Sequence, residues 1–141
     1  MDAIYSTLRI VLTNNVMLLA MGGALGTNAR YWLARWFNEA SWLGTFPLGT
    51  FVINVTGSFL LGLVGTIFVE RLPDHRDWFV LLGTGFCGGY TTFSTFEWET
   101  LQLLRDRSWS LAAANVAGSV VVGFIGVVLG AALGNLIFPR K

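Results

Sequence analysis

The chain is 141 residues long, 54% hydrophobic and 12% charged, with a mean hydropathy of +0.62 and a formal net charge of +1. A soluble domain carries about 25% charged residues, so this composition points to a membrane protein of a size that suits one compact bundle, and the near-neutral balance gives no case for nucleic-acid binding. The single cysteine, Cys87, excludes an intrachain disulfide and reads as a small apolar filler.

The opening stretch MDAIYSTLRIVLTNN lacks the basic start of a cleaved signal, and the apolar run after it is long. A short interfacial helix or a frayed start is expected there. A transmembrane helix needs about 20 mostly apolar residues, and four segments are predicted on that basis. They run roughly from Asn15 to Phe37, from Phe46 to Val69, from Trp78 to Leu104 with a break near 86–92, and from Trp109 to Phe138. The polar connectors between them are short, so neighbouring helices should run antiparallel. Pro47 opens the second segment, where its missing N–H costs nothing. Trp42, Trp78, Trp98 and Trp109 fall near predicted helix ends, as an interfacial aromatic belt requires.

Small residues recur at helix-packing spacing: Gly22 with Gly26, Ser58 with Gly62, and Gly126, Gly130 and Gly134 in series. Such pairs let backbones approach where lipid gives helices no hydrophobic drive to associate. Four helices bury little surface alone, so an oligomer is expected, most simply a dimer. With four spans, one side of the membrane receives Arg9, Arg71, Arg76, Arg140 and Lys141, and the other receives Arg30, Arg35, Arg105 and Arg107. Orientation follows the Lys/Arg bias of short loops. Five against four is hardly a bias, so insertion in both directions and an antiparallel homodimer are expected. The alternative is that one end charge sets a single orientation.

The third segment contains the stretch GTGFCGGYTTFSTF, Gly83 to Phe96. Gly83, Gly85, Gly88 and Gly89 weaken the helical ladder, and Thr91, Thr92, Ser94 and Thr95 offer hydroxyls to an opened backbone. Non-helical backbone at membrane depth survives only where protein or a water-filled cavity satisfies it, so a break here suggests an ion or substrate site. A glycine-rich packing surface is the competing reading.

No enzyme constellation is present. His75 is a lone loop histidine, and no His/Cys cluster has zinc spacing. The first, second and fourth apolar segments hold no acidic residue, which leaves a proton-coupled exporter little to work with. Glu97 and Glu99 end the third segment, and Glu99 can stand at a pore mouth. The remaining polar groups are neutral. Thr50, Asn54 and Ser58 share one helix face, as do Asn115 and Ser119. An unsatisfied amide in hydrocarbon costs several kcal/mol, so Asn54 must face protein or water; interhelical hydrogen-bond glue is the competing role. Amides and hydroxyls without a carboxylate ring suit an anion. A half-helix starting near Thr91 would add free N–H groups. Phe93 and Phe96 share a face and can offer positive ring edges, or simply pack. Arg30 can hold a re-entrant backbone or draw anions to a mouth, or snorkel to headgroups.

Three motifs carry a resemblance: GGALGTNARY from Gly22, PLGTFVINVTGSFLLG from Pro47 and GFCGGYTTFSTFEWET from Gly85. On these the chain resembles the Fluc (CrcB) family of fluoride channels over nearly its whole length. The resemblance implies an all-α membrane protein with four transmembrane helices per subunit, a broken third helix, and a dual-topology antiparallel homodimer with two pores in the cell (inner) membrane. It implies passive fluoride export that protects the cytoplasm. It further implies that Phe93 and Phe96 line the pore and that Asn54 and Ser119 face it. Backbone carbonyls at Gly88 and Thr91 would hold a structural sodium ion at the dimer centre, and Arg30 matches the first helix's arginine. Asn115 is also expected to line the pore, with one departure: some members carry tyrosine there. Thr92 and Thr95, on the same stretch, complete the expected path. The choice of fluoride rests on the resemblance alone. A four-helix proton-coupled drug exporter is the alternative, and it should need a carboxylate in its first span.

Overall fold

The computed structural model describes residues 15–40 and 44–139. Among the described residues four principal helices order the chain: α1 (Asn15–Ala40), α2 (Leu48–Gly65), α3 (Phe93–Arg105) and α4 (Trp109–Ile137). Helix α2 runs on through the wide-turned stretch Thr66–Arg71, and a tight turn follows at Pro73–His75. A leading arm, residues 76–90, then climbs toward α3. Most of the arm, Phe79–Cys87, is wound as a π-helix. No strand occurs among the described residues.

The break falls at the far end of the stretch 86–92. The glycines at 83, 85, 88 and 89 remain inside helical turns, and only Thr91 and Thr92 are extended, with ψ of 158° and 115°. Glycine alone does not open a helix when each residue's amide still finds a carbonyl one turn back. Here the wider π turns run upstream to Cys87, and Thr91 begins the departure. The sequence also suggested four membrane-length apolar segments. Among the described residues two helices meet that standard, Leu48–Arg71 and Trp109–Ile137. Helix α1 carries Arg30, Arg35 and Glu39, and the third segment is cut at Thr91–Thr92. Of the predicted aromatic belt, Trp78, Trp98 and Trp109 are exposed; Trp42 and the opening stretch lie outside the described residues.

Two glycine seams hold the bundle. Helix α1 packs on the leading arm, and α2 packs on α4. At the first seam a methyl group on Gly22 would meet the Phe86 amide at 2.8 Å, and one on Gly26 the Tyr90 amide at 2.8 Å. At the second, a methyl on Gly130 would stand 2.9 Å from the Leu63 amide, and Gly126 and Gly134 continue the line along α2. At Gly22, Gly26 and Gly130 the obstacles are backbone atoms, which cannot swing aside as a side chain would; at Gly134 the Thr66 side chain stands nearest. This is the small-residue packing read from the spacing, with the partners now named. Large apolar side chains of α4, among them Val120, Phe124 and Leu129, face outward.

Overpacking a close-packed contact costs about 1–3 kcal/mol, so Gly26→Ala should lower the thermal midpoint of the detergent-purified protein by several degrees. Gly23→Ala should leave it in place, because a methyl there meets only the Gly85 carbonyl at 3.9 Å. Thermal unfolding of the two variants side by side checks this.

Candidate functional site

The interruption at Thr91–Thr92 is held from three directions. Asn54, in the middle of α2, pairs with the main chain of Thr92: its Oδ1 accepts from the Thr92 amide at 2.8 Å and its Nδ2 donates to the Thr92 carbonyl at 3.1 Å. Arg30 of α1 donates from Nε to the Gly89 carbonyl at 3.1 Å, with Thr27 Oγ1 approaching the same oxygen at 3.5 Å. Tyr90 is buried beneath the break, and its hydroxyl shares a 2.9 Å hydrogen bond with Thr56 Oγ1. A helix end leaves its last carbonyls without intrahelical donors. Arg30 satisfies one of these. The Thr92 amide would otherwise have closed on the Gly88 carbonyl; because it goes to Asn54, that carbonyl loses its helical donor.

Helix α3 restarts at Phe93 with Thr92 as its cap. Thr92 Oγ1 accepts from the Thr95 amide at 3.3 Å and donates to Thr95 Oγ1 at 3.0 Å. The remaining first-turn amides face the break with the positive end of a 13-residue helix behind them. The sequence placed this start near Thr91, and the structure places it two residues later.

Two cavities meet at the break. One, of about 560 Å³, is walled by Asn54, Ser58, Thr84, Gly88, Thr91, Thr92, Phe93, Phe96 and Ser119 among others. The other, of about 590 Å³, is walled by Thr27, Arg30, Thr50, Thr92, Thr95 and Glu99 among others. Thr92 belongs to both walls. In the first, the rings of Phe93 and Phe96 lie 5.7 Å apart and tilted by 37°. Phe96 is buried and Phe93 is 71% exposed. Ser119 Oγ is buried without a hydrogen-bond partner. An orphan hydroxyl of this kind calls for a water or a ligand.

The second cavity contains Glu99, whose Oε1 accepts from Thr50 Oγ1 at 2.9 Å while Oε2 is buried without a partner. The sequence-predicted residues thus divide. Asn54, Gly88, Thr91, Phe93, Phe96 and Ser119 gather on one side of Thr92, and Arg30, Thr95 and Glu99 on the other. Asn115 reaches neither cavity. It is 1% exposed and donates from Nδ2 to Thr100 Oγ1 at 2.9 Å, and Thr100 in turn donates to the Phe96 carbonyl at 2.8 Å. It braces α3 one turn beyond the phenyl pair.

Thr27, Thr56, Tyr90 and Thr100 were not picked out from the sequence. Thr27 lies one turn before Arg30, a spacing that puts both on one helix face. Tyr90 precedes the break and carries a phenol that needs a partner when buried. Those signals were present. The partnership of Thr100 with Asn115 joins two helices across a connector and has no local sign.

These features define a small all-helical membrane protein built around an interrupted helix, with a largely apolar cavity carrying a few polar groups on either side. The chain belongs to the family described as CrcB-like protein, Camphor Resistance (CrcB), whose model matches residues 17–131. Among its relatives is a fluoride-specific ion channel FluC of Solibacter usitatus, 47% identical over 83% of this chain and 95% of the relative. The proteins of that name from Oceanobacillus iheyensis and Acidobacterium capsulatum are 44% and 45% identical, over 82% and 84% of this chain and 90% and 94% of theirs. These relatives are named as ion channels, not as enzymes.

Leaving a buried polar group unpaired costs about 1–3 kcal/mol. Asn54→Leu should therefore lower the thermal midpoint clearly, because it orphans the amide of Thr92 and removes the second donor to its carbonyl. Arg30→Met should lower it less, because Thr27 remains near the Gly89 carbonyl. Thermal unfolding in detergent ranks the two.

Proposed function

We propose that this chain is a fluoride-selective channel of the cell's inner membrane, giving passive fluoride export. The observation that carries the reading is the interrupted third segment, where the phenyl pair, an orphan serine hydroxyl and a half-helix start converge on one cavity. Fluoride is small and tightly hydrated, so its path must replace water with short hydrogen bonds. Pore selectivity of this kind is set by donors and diameter. Asn54 carries two N–H groups on Nδ2; one goes to Thr92, and the other remains for the ion. Ser119 donates its free hydroxyl, and Phe93 and Phe96 present ring edges, which carry partial positive charge. Thr92 joins the two cavities, so the path passes it toward Thr95, with Arg30 and Glu99 at the mouth. Asn115 serves the path by bracing Phe96 rather than by touching the ion.

The reading extends to an antiparallel homodimer of dual-topology subunits. Support comes from Gly88, where an added methyl would meet nothing within 4 Å in this chain. The glycines of the two seams are kept small by their own neighbours; Gly88 is not, and a second copy supplies a reason. A structural sodium ion fits the same place. The Gly88 carbonyl has lost its helical donor, Thr91 is extended, and carbonyl oxygens suit a hard cation. Gly88 and Thr91 would hold it, and the ion would neutralise carbonyls that no amide reaches. The four-helix drug exporter needs a carboxylate within its first span; the one acidic residue of α1, Glu39, lies at the helix end paired with Arg35 at 2.7 Å.

Proteoliposomes carrying the protein should release fluoride rapidly and chloride hardly at all, read with ion-selective electrodes. Phe96→Ile should slow fluoride release at least about 100-fold, equivalent to about 2.7 kcal/mol at the barrier, with the dimer intact by size-exclusion chromatography. Release at the normal rate from this variant would remove Phe96 from the path.

A further inference from the structure

One more hydroxyl opens on the cavity of the phenyl pair. Ser58 lies one turn beyond Asn54 on α2 and walls the same cavity. A helical serine or threonine usually turns its hydroxyl back to the carbonyl four residues earlier. Thr56, two residues away, does this, donating to the Val52 carbonyl at 2.7 Å. Ser58 makes no hydrogen bond to any described residue. In the interior of a membrane protein an unpaired hydroxyl is costly unless something else occupies it.

What faces Ser58 is Gly123 of α4. A methyl group built on Gly123 would stand 3.6 Å from Ser58 Oγ, so the glycine leaves the space before the hydroxyl open without any steric demand for its smallness. Gly123 is one helical turn beyond Ser119, whose own hydroxyl is buried and unpaired. Two orphan hydroxyls therefore stand on successive turns of facing helices, both on the wall that holds Phe93 and Phe96.

We infer that Ser58 is a further ligand of the conducted ion, forming with Ser119 a two-hydroxyl station for a small hydrated anion beside the phenyl pair. The inference rests on the proposed channel function. Asn54 and Ser58, spaced by four residues, are successive donors along α2, and Ser119 faces them from α4. Each hydroxyl can donate to the anion while accepting from a water that travels with it. The station thus replaces part of the hydration shell beside the rings.

The test compares Ser58→Ala, Ser58→Thr and Gly123→Ala in proteoliposomes with fluoride and chloride electrodes, with thermal unfolding alongside. Ser58→Ala should slow fluoride release by about 5- to 10-fold, in the range of losing one donor at tenfold per 1.36 kcal/mol. Its thermal midpoint should stay unchanged, because no protein hydrogen bond is lost. Ser58→Thr should conduct better than Ser58→Ala, having kept the hydroxyl. Gly123→Ala, which covers the hydroxyl with a methyl group, should slow release while Ser58 itself is intact. Wild-type rates from Ser58→Ala would overturn the inference. So would a midpoint lowered as far as that of Asn54→Leu, which would make Ser58 a structural residue. Wild-type protein that releases no fluoride would instead overturn the channel function.

Discussion

The pairing of Asn54 with the main chain of Thr92 is the constraint on which the site depends. A carboxamide presents a donor and an acceptor side by side, as a peptide unit does, and here it stands in for the missing helical partner of the Thr92 amide and adds a donor to the Thr92 carbonyl, which as a cap also opens α3. In a bilayer each unsatisfied backbone group costs several kcal/mol, so an extended dipeptide within the bundle persists only if other elements complete it. Helix α2 supplies Asn54, α1 supplies Arg30, and the threonine cap at Thr92 closes the first turn of α3. The interruption is thus held by the bundle and not by the segment that contains it alone.

That arrangement demands helices close enough for short side chains to reach across. The glycine seams provide the proximity. Gly22 and Gly26 bring α1 against the leading arm, which puts Arg30 within reach of Gly89. Gly126, Gly130 and Gly134 bring α4 against α2, which puts Ser119 beside the cavity that Asn54 and Ser58 wall. Packing and polar chemistry are therefore linked: a methyl group added at a seam would displace a hydrogen-bonding residue several ångströms away.

Polar side chains in the bundle fall into three kinds of work. Asn115, Thr100 and Tyr90 are satisfied within the chain and hold helices in place. Asn54 and Arg30 are satisfied by the broken backbone and hold it open. Ser119, Ser58 and one oxygen of Glu99 are not satisfied by any described residue. The last kind, together with the second N–H of Asn54, has bonding capacity left over. A residue such as Asn115 shares a helix face with Ser119, yet burial against Thr100 gives it a different role.

The sequence by itself determined the all-helical membrane class, the helices to within a few residues, the glycine contacts and the existence of a break in the third segment. Those follow from local signals: apolar length, small-residue spacing, and the cluster of glycines and hydroxyls after Gly83. The match of three motifs also named the family. Tertiary structure decided where the break falls, because glycines tolerate helical turns and only a competing partner, Asn54, draws Thr92 out of the ladder. It also decided which polar residues are bonded and which are free. That sorting depends on what stands opposite each side chain across a helix interface, and a linear sequence does not carry the opposite wall.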